Sequence, residues 1–273
     1  MSQSPILIIG GGGKTGGRVN GLLKASGFDT RPVSRSTPIP FDWTKRETWT
    51  PALAGVSKAY VTYQPDLAVD GAAADIAELS RLAREQGLQQ IVLLSGRGEP
   101  GAQAAEAALQ ASGVPWTIVQ ASWFSQNFSE GYLLDSLLAG EIALPAGPVP
   151  EPFIDADDIA DVAVAALTEE GHLNRLYEVT GPRALTFEAA VGEIAAATGR
   201  PIRYTQVSPE DFVISQRPFV PEEFVQLLHE LFTVVLDGRN TPVMRGVEEA
   251  LGRPATDFSD YVRRTAATGV WNV

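Results

Sequence analysis

The sequence predicts an α/β protein, built as a doubly wound parallel sheet with a smaller, mostly helical C-terminal lobe. Two observations support this prediction. Short apolar runs of strand length alternate with stretches of helical spacing through the first part of the chain, which is typical of βαβ units. These runs are continuously apolar, as expected of parallel strands that helices cover on both faces.

The individual elements follow from this alternation. Strands are predicted at 5–9, 30–34, 58–63, 90–95 and 116–120, and helices at 14–26, 70–86, 102–111 and 158–168. Residues 140–152 are rich in Gly and Pro and are predicted to form a loop. A strand near 176–180 is expected to rejoin the sheet, and from Thr186 onward the chain is expected to be mostly helical. The pattern divides the chain into a sheet domain, residues 1–153, and a helical lobe, residues 154–273.

The composition excludes several classes of function. The net charge of −12 argues against nucleic acid and anionic membranes as partners, because both require basic surfaces. The chain contains no cysteine, so disulfides, thiolate nucleophiles and cysteine-ligated zinc are excluded. No His, Asp and Glu grouping has the spacing of a metal site. The first strand starts close to the N-terminus without a cationic leader, and no apolar run approaches the ~20 residues of a membrane span. We therefore expect a soluble, cytoplasmic protein.

A glycine-rich loop follows the first predicted strand and opens the first helix. Gly10, Gly13 and Gly16 have the spacing Gly-x-x-Gly-x-x-Gly, and Lys14 and Thr15 lie between the last two. Glycines let a pyrophosphate approach the backbone N–H groups, and the helix N-terminus adds a partial positive charge. A glycine-rich turn without a ligand is the alternative. A mononucleotide loop is disfavoured because Lys14 lies at the wrong distance from an opening glycine. The loop therefore predicts a nicotinamide dinucleotide site.

The end of the second predicted strand indicates which cofactor is bound. NAD-binding sites place Asp or Glu there to bind the ribose 2′-OH. This chain has Ser34, Arg35 and Ser36 instead, and the guanidinium of Arg35 suits a 2′-phosphate. An ordinary surface arginine is the alternative. We expect NADPH as the cofactor, with NADH also possible.

At this point the sequence resembles the NmrA-like group of atypical short-chain dehydrogenases, which have a Rossmann fold. The resemblance runs through about residues 5–215. It rests on the glycine loop and on five further stretches: Phe41-Asp42-Trp43, Leu93-Leu94-Ser95-Gly96, Glu106 to Val119 with its Ser-Gly-Val-Pro-Trp-Thr-Ile-Val run, Trp123-Phe124-Ser125-Gln126-Asn127-Phe128, and Phe153-Ile154-Asp155-Ala156-Asp157-Asp158-Ile159-Ala160. Within the group, the chain is most similar to the branch of fungal ergot-alkaloid iminium reductases.

The resemblance implies further cofactor-binding residues. Asp42 and Trp43 match an acidic position that the family sets near adenine, after its third strand. Ser95 matches the family's fifth strand, and Tyr63 completes the predicted cofactor-binding set. The sequence also departs from the family: Gly11 and Gly12 replace Ala-Thr, Gln120-Ala121 replaces Arg-Pro, and the last ~50 residues show no motif.

The catalytic pair of ordinary short-chain dehydrogenases is missing from this chain. Ordinary short-chain dehydrogenases use Tyr-x-x-x-Lys as a general acid, but the corresponding stretch here runs from Glu99 to Gln103 without Tyr or Lys. Two functions remain. One is an NAD(P)H-dependent reductase of an electrophile that needs only hydride, such as a quinone or an iminium ion. The other is a non-enzymatic redox sensor that binds the nucleotide, as some of the resembled family do.

Substrate contacts are expected just after the strand at 116–120. The candidates are Trp123, Phe124, Asn127 and Phe128, although Phe128 is equally well explained by packing. Tyr132 is the one nearby residue that offers an acid, and a structural role is favoured for it. Asp155, Asp157 and Asp158 resemble an acid–base cluster, but we expect Asp157 or Asp158 to cap the following helix. The substrate is expected to be a small molecule; its identity and the oligomeric state do not follow from the sequence.

Overall fold

A computed structural model describes residues 4–273 of the chain. The strands are β1 (Ile6–Ile9), β2 (Thr30–Val33), β3 (Lys58–Val61), β4 (Gln90–Gly96), β5 (Trp116–Ala121), β6 (Glu141–Leu144), β7 (Arg175–Val179) and β8 (Arg203–Gln206). The α-helices are α1 (Lys14–Ala25), α2 (Trp49–Leu53), α3 (Ala72–Glu85), α4 (Pro100–Ala111), α5 (Leu134–Ala139), α6 (Ala156–Thr168), α7 (Phe187–Thr198), α8 (Pro209–Gln216), α9 (Glu222–Glu230), α10 (Gly246–Leu251) and α11 (Phe258–Ala267).

The chain forms two compact units that interleave along the sequence. Unit 1 comprises Met1–Ala121, Ala156–Val179 and Arg245–Arg253, of which residues 1–3 lie outside the described part. Unit 2 comprises Ser122–Asp155, Thr180–Met244 and Pro254–Val273. This interleaved arrangement differs from the single division after residue 153, which stays a prediction.

Unit 1 contains a six-stranded sheet in the order β2-β1-β3-β4-β5-β7. Every neighbouring pair in it is parallel, so all strands end at the same edge. Strands of such a sheet need helical crossovers, and the helices flank it: α1 packs against α6, and α3 packs against α4. The sequence prediction of a doubly wound α/β fold is confirmed, and β7 lies where a strand was expected near 176–180.

The continuous burial of the central strands explains their apolar sequences. All four residues of β1 are buried, because a pleated strand sends alternate side chains to opposite faces and helices cover both. Leu7 and Ile9 of β1 share one core cluster with Ile76 of α3 and Leu109 of α4. The fold therefore buries β1 completely and β3, β4 and β5 almost completely. We expect polar groups of unit 1 to meet a ligand at the ends of these strands.

Unit 2 has its own core, made largely of aromatic side chains. Phe128, Phe153 and Phe187 lie with their ring centroids 5.0–6.1 Å apart, in edge-on and tilted arrangements. Aromatic pairs of this geometry add to the stability that area burial gives. Trp271, close to the C-terminus, is fully buried in the same cluster, and its Nε1 donates to the carbonyl of Phe128 at 2.8 Å.

The expectation that residues 140–152 form only a loop is wrong. Strand β6 lies in this stretch and pairs in parallel with β8. Ile142 and Leu144 alternate with exposed neighbours and are buried in the core of unit 2. The strand is short, and the high Gly and Pro content of its flanks concealed this period of two.

The expectation that Asp157 or Asp158 caps a helix is also wrong. Helix α6 begins at Ala156, so both residues lie inside its first turn. Their carboxylates bind cations of unit 1 instead: Arg18 donates to Asp157 at 2.6 Å, and Arg253 to Asp158 at 2.7 Å. Acidic residues in a first helical turn also interact favourably with the helix dipole.

Candidate functional site

The glycine loop connects β1 to α1. At two of its positions, neighbouring protein atoms lie so close to the backbone that a side chain could not fit. Gly10 has φ of +80°, and a Cβ atom placed on it would lie 2.1 Å from Oγ1 of Thr62, which follows β3. A Cβ atom on Gly16 would lie 2.2 Å from the carbonyl oxygen of Gly10. The loop is closed by a hydrogen bond of 2.8 Å from the amide of Gly13 to that same carbonyl. Glycine is therefore required at Gly10 and Gly16 by the structure of the loop itself.

The N-terminus of α1 is open to a ligand. Gly13 is the N-cap residue and has no side chain to bind the amides of the first turn. A Cβ atom on Gly12 would meet no atom within 4 Å. Lys14 and Thr15 begin the helix, and Thr15 is buried. Backbone amides at a helix N-terminus bind anions, and binding of a dinucleotide's pyrophosphate at this loop stays a prediction.

The segment after β2 presents a guanidinium beside two hydroxyl groups. Within residues 4–273, Arg35 is exposed and makes no hydrogen bond or ion pair. The hydroxyl oxygens of Ser34 and Ser36 lie 3.2 Å apart. The loop folds back on itself, because the amide of Phe41 donates to the carbonyl of Ser34 at 3.0 Å. This fold-back places Arg35 close enough to Asp42 for the two charges to interact.

Asp42 is held in place by its neighbour in the chain. The amide and the hydroxyl group of Thr44 both donate to Oδ1 of Asp42, at 3.0 and 2.8 Å. These two hydrogen bonds, with Coulombic support from Lys45 and Arg35, lower the pKa of Asp42. The carboxylate is therefore ionised and accepts hydrogen bonds only, and its contact with adenine stays a prediction.

Trp43 and Tyr63 pack against each other and against the hydrophobic core of unit 1. Their ring centroids lie 4.4 Å apart, and the Trp43 side chain is only 9% exposed. Nε1 of Trp43 donates to the carbonyl of Thr62 at 3.2 Å, and the hydroxyl group of Tyr63 donates to Asp75 at 2.8 Å. Burial and the contact with Asp75 raise the pKa of Tyr63. Both residues thus support the strand ends, and their contact with cofactor stays a prediction.

Ser95 lies near the end of β4 in a buried polar network. Its hydroxyl group donates to Oε1 of Glu106, on α4, at 2.5 Å, and Nε2 of Gln120, on β5, donates to the same oxygen at 2.8 Å. In the sequence, Glu106 stands out only as part of a stretch shared with the resembled family. Its spacing from Ser95 in the sequence gave no sign of the contact.

A pair of carboxyl groups lies near the stretch that lacks Tyr and Lys. Glu99 is the N-cap residue of α4 and is buried, with its carboxyl group packed against Gly96. It forms a hydrogen bond with Asp66, which follows β3, and burial raises the pKa of Asp66. Two carboxyl groups can share a hydrogen bond only when a proton lies between them. No sequence pattern predicts this pair, because its members are far apart in the chain.

Three of the predicted substrate-contact residues are partly exposed, and the fourth is not. Trp123, Phe124 and Asn127 are half-buried, whereas Phe128 is fully buried among the aromatic rings of unit 2. Trp123 packs against Phe232, with ring centroids 5.0 Å apart. The structure thus explains Phe128 by packing, and substrate contact by the other three stays a prediction.

Tyr132 has a buried hydroxyl group. Within the described chain this oxygen has no hydrogen-bond partner, and burial raises the pKa of the phenol. The ring packs against the aromatic core of unit 2. Tyr132 therefore stays neutral at physiological pH, and nothing around it would favour its ionisation.

Comparisons with known proteins agree with this geometry. The model of the NmrA-like family matches residues 103–262. The chain is 30% identical to an NAD(P)H azoreductase of Xenophilus azovorans, over 96% of this chain and 98% of that protein. It is 28% identical to festuclavine dehydrogenase of Aspergillus fumigatus, over 96% and 98% of the two chains. The crystal structure of an NADPH-dependent quinone oxidoreductase of Escherichia coli, in complex with NADPH, superposes with a TM-score of 0.79 at 21% identity, covering 95% of this chain and 99% of that one.

The resemblance inferred from the sequence is thus confirmed, including its link to enzymes of the clavine type. The family model covers more than half of the chain, and the azoreductase aligns over nearly its whole length. The glycine loop, the six-stranded parallel sheet and these alignments lead to one conclusion: the chain belongs to the NmrA-like family of Rossmann-fold proteins.

Proposed function

We infer that the chain is an NAD(P)H-dependent reductase that transfers hydride to a small electrophile, such as a quinone or an iminium ion. The observation that supports this inference is the tight loop from Gly10 to Gly16 at the N-terminus of α1, where the N-cap residue has no side chain to bind the first amides. NADPH supplies the hydride when it is bound. The chain binds and orients the two reactants and keeps water out of the reaction.

The chemistry at 99–103 supports an acceptor that needs no Tyr/Lys pair. Helix α4 begins in this stretch, and neither residue type occurs there. A quinone yields a stabilised anion and an iminium ion yields a neutral amine, so neither product demands an immediate proton. We propose that the cofactor is NADPH in preference to NADH, because Arg35 is exposed and unpaired within the described chain. We further propose that Trp123, Phe124 and Asn127 contact the substrate.

A non-enzymatic redox sensor is the second candidate. It is favoured by the same stretch at 99–103, because a protein that only binds the nucleotide has no need of a catalytic pair there. Both candidates require the cofactor cradle and differ only in turnover.

Turnover separates the two candidates. The purified protein is mixed with NADPH or NADH and with quinones, cyclic iminium ions or azo dyes in turn, and the loss of absorbance at 340 nm is followed. We expect NADPH consumption with at least one of these classes and slower consumption of NADH. A protein that binds NADPH by fluorescence titration, yet consumes none with any acceptor, is a sensor.

We expect that Tyr132→Phe leaves kcat within a few-fold of the wild-type value. The unpartnered, neutral phenol of Tyr132 is not poised to lose its proton, whereas a positioned acid contributes about 10²–10⁴-fold. The rate with a quinone or an iminium ion should also depend only weakly on pH near neutrality, apart from the ionisation of the substrate. A drop of about 10²-fold with unchanged cofactor affinity would make Tyr132 the proton donor.

Tyr261→Phe provides the matched control for this substitution. Tyr261 lies in the same unit, and its hydroxyl group donates to Ser129 at 2.7 Å. Removing this hydrogen bond should cost about 1 kcal/mol of unfolding free energy. Tyr132→Phe removes a hydroxyl group without a partner and should leave Tm unchanged or raise it slightly. If Tyr132→Phe lowers Tm as much as the control does, the phenol has a structural partner after all.

A further inference from the structure

Glu106 connects the ends of two neighbouring strands through one oxygen atom. Ser95 and Gln120 face each other in the register of β4 and β5. Both donate to Oε1 of Glu106, at 2.5 and 2.8 Å. Because Glu106 lies on α4, the three residues tie a helix to two strands near the carboxyl edge of the sheet.

The network is buried. Which atom donates and which accepts in each of its hydrogen bonds therefore determines what Ser95 can offer to a ligand. Ser95, Glu106 and Gln120 are 4%, 6% and 7% exposed. Burial raises the pKa of Glu106, and the hydrogen bonds from Ser95 and Gln120 oppose this effect. Oε1 of Glu106 accepts both hydrogen bonds of the network. The single hydroxyl proton of Ser95 is therefore used inside the protein, and the lone pairs of its oxygen are what it offers to a ligand.

The order of the strands indicates which part of the cofactor lies near Ser95. Open parallel sheets bind nucleotides outside the carboxyl ends of their strands, at the point where the strand order reverses. Here that point lies between β1 and β3, with the glycine loop at its edge. If Arg35, after β2, binds the 2′-phosphate, then the adenosine half extends over β2. The nicotinamide half then extends the other way, over β3 and β4, where Ser95 lies.

We propose that Glu106 is a positioning residue, which fixes Ser95 as the hydrogen-bond acceptor for the carboxamide amino group of the nicotinamide. This proposal rests on the proposed function, since it requires that a nicotinamide dinucleotide is bound. The carboxamide amino group is the one N–H donor of the nicotinamide ring, and Ser95 presents an oxygen that can accept from it. The same arrangement leaves Ser95 unable to donate to a substrate oxygen.

Cofactor analogues test the proposal through binding alone. The reduced 3-acetylpyridine analogue of NADPH has a methyl group in place of the amino group, whereas the thionicotinamide analogue keeps the amino group. The wild-type protein should bind NADPH and the thionicotinamide analogue with similar affinity, and the acetylpyridine analogue about 3- to 10-fold more weakly, as for one neutral hydrogen bond. Equal affinity for NADPH and the acetylpyridine analogue would overturn the proposal.

Substitutions of Ser95 and Glu106 test whether these residues cause the preference for NADPH over the acetylpyridine analogue. Ser95→Ala should weaken NADPH until it binds no better than the acetylpyridine analogue. Glu106→Leu removes the group that holds the hydroxyl of Ser95 as an acceptor and should reduce the discrimination. Glu106→Gln keeps an oxygen that accepts from Ser95 and Gln120, so it should retain the discrimination. A purely structural Glu106 would change Tm in both variants and leave the ratio of affinities unchanged, which would refute the positioning role.

A fragment without nicotinamide distinguishes this proposal from the proposed function. 2′-Phospho-ADP-ribose should bind the wild-type protein and Ser95→Ala equally well. If neither this fragment nor NADPH binds, the proposed function fails. If both bind and Ser95→Ala does not change the preference for NADPH over the acetylpyridine analogue, only the role of Ser95 and Glu106 fails. If the variants do not fold, the proposal is tested by the ratio of the wild-type protein's affinities for NADPH and for the acetylpyridine analogue.

Discussion

Substitution of Gly13 by Val is expected to abolish the binding of both NADPH and NADH while the fold survives. Gly13 has φ of −82°, which any residue can adopt, and its Cβ atom would lie 3.3 Å from the carbonyl oxygen of Gly10. A small local shift accommodates that contact. The branched side chain would then fill the space of the pyrophosphate at the N-terminus of α1. Loss of two or more hydrogen bonds to a charged group, at about 1.5–3 kcal/mol each, weakens binding by more than about 100-fold.

Calorimetric titration with each cofactor measures this effect, and Gly21→Val is the matched control. Gly21 lies in the middle of α1, is exposed, and would place a Cβ atom in open space. The control should bind both cofactors as the wild-type protein does, at some cost in helix stability. Unchanged affinity of Gly13→Val, with Tm close to that of the control, would show that the loop is not the cofactor site.

Substitution of Arg35 by Ala is expected to weaken NADPH by about 10- to 150-fold and to leave the affinity for NADH nearly unchanged. The guanidinium after β2 is exposed and makes no hydrogen bond within residues 4–273, so binding a phosphate breaks no contact inside the protein. A charge-assisted pair of this kind contributes about 1.5–3 kcal/mol, which corresponds to that range of affinities. Fluorescence titration of both cofactors measures the change.

Arg175→Ala is the control for the loss of a positive charge. Arg175 is also an exposed arginine of unit 1, but it starts β7 and so lies at the amino edge of the sheet. In a chain of net charge −12, any lost cation makes the surface more repulsive to a phosphate, and the control measures this general effect. If both variants weaken NADPH equally, or if Arg35→Ala weakens NADH as much as NADPH, Arg35 does not read the 2′-phosphate.

Most of the sheet could be predicted from the sequence because its signals are local. Buried parallel strands give continuous apolar runs, and the predicted strand at 90–95 corresponds to β4, Gln90–Gly96. The glycine loop is equally local, because one strand, one turn and one helix N-terminus specify it. Strand β6 escaped prediction since it has only four residues and depends on β8, about 60 residues later, for its pairing.

The polar groups around the predicted site could be predicted only in part. Ser95 was identified through a local motif, whereas its partners Glu106 and Gln120 come from different elements. Asp66 and Glu99 likewise meet only because β3 and β4 are neighbours in the sheet. Contacts of this kind depend on the register of the strands and on helix packing, which no short-range pattern records.

The end of the chain illustrates the same limit of local patterns. The last residues carry no motif, yet Trp271 is fully buried and donates a hydrogen bond to the carbonyl of Phe128. A lone tryptophan near a terminus has no neighbours in the sequence that show whether it is buried. Its role follows from the core of unit 2, which includes both nearby residues such as Tyr261 and distant ones such as Phe128.

The interleaving of the two units decides how the chain can be cut. A fragment that ends at residue 153 would keep the glycine loop but lose α6 and β7, which unit 1 takes from residues 156–179. Its β5 would become an open edge with unpaired amides and carbonyls, the kind of surface along which chains add to one another. Expression of the isolated N-terminal half should therefore give aggregates, and a minimal nucleotide-binding module of this protein would have to be assembled by joining the separate stretches.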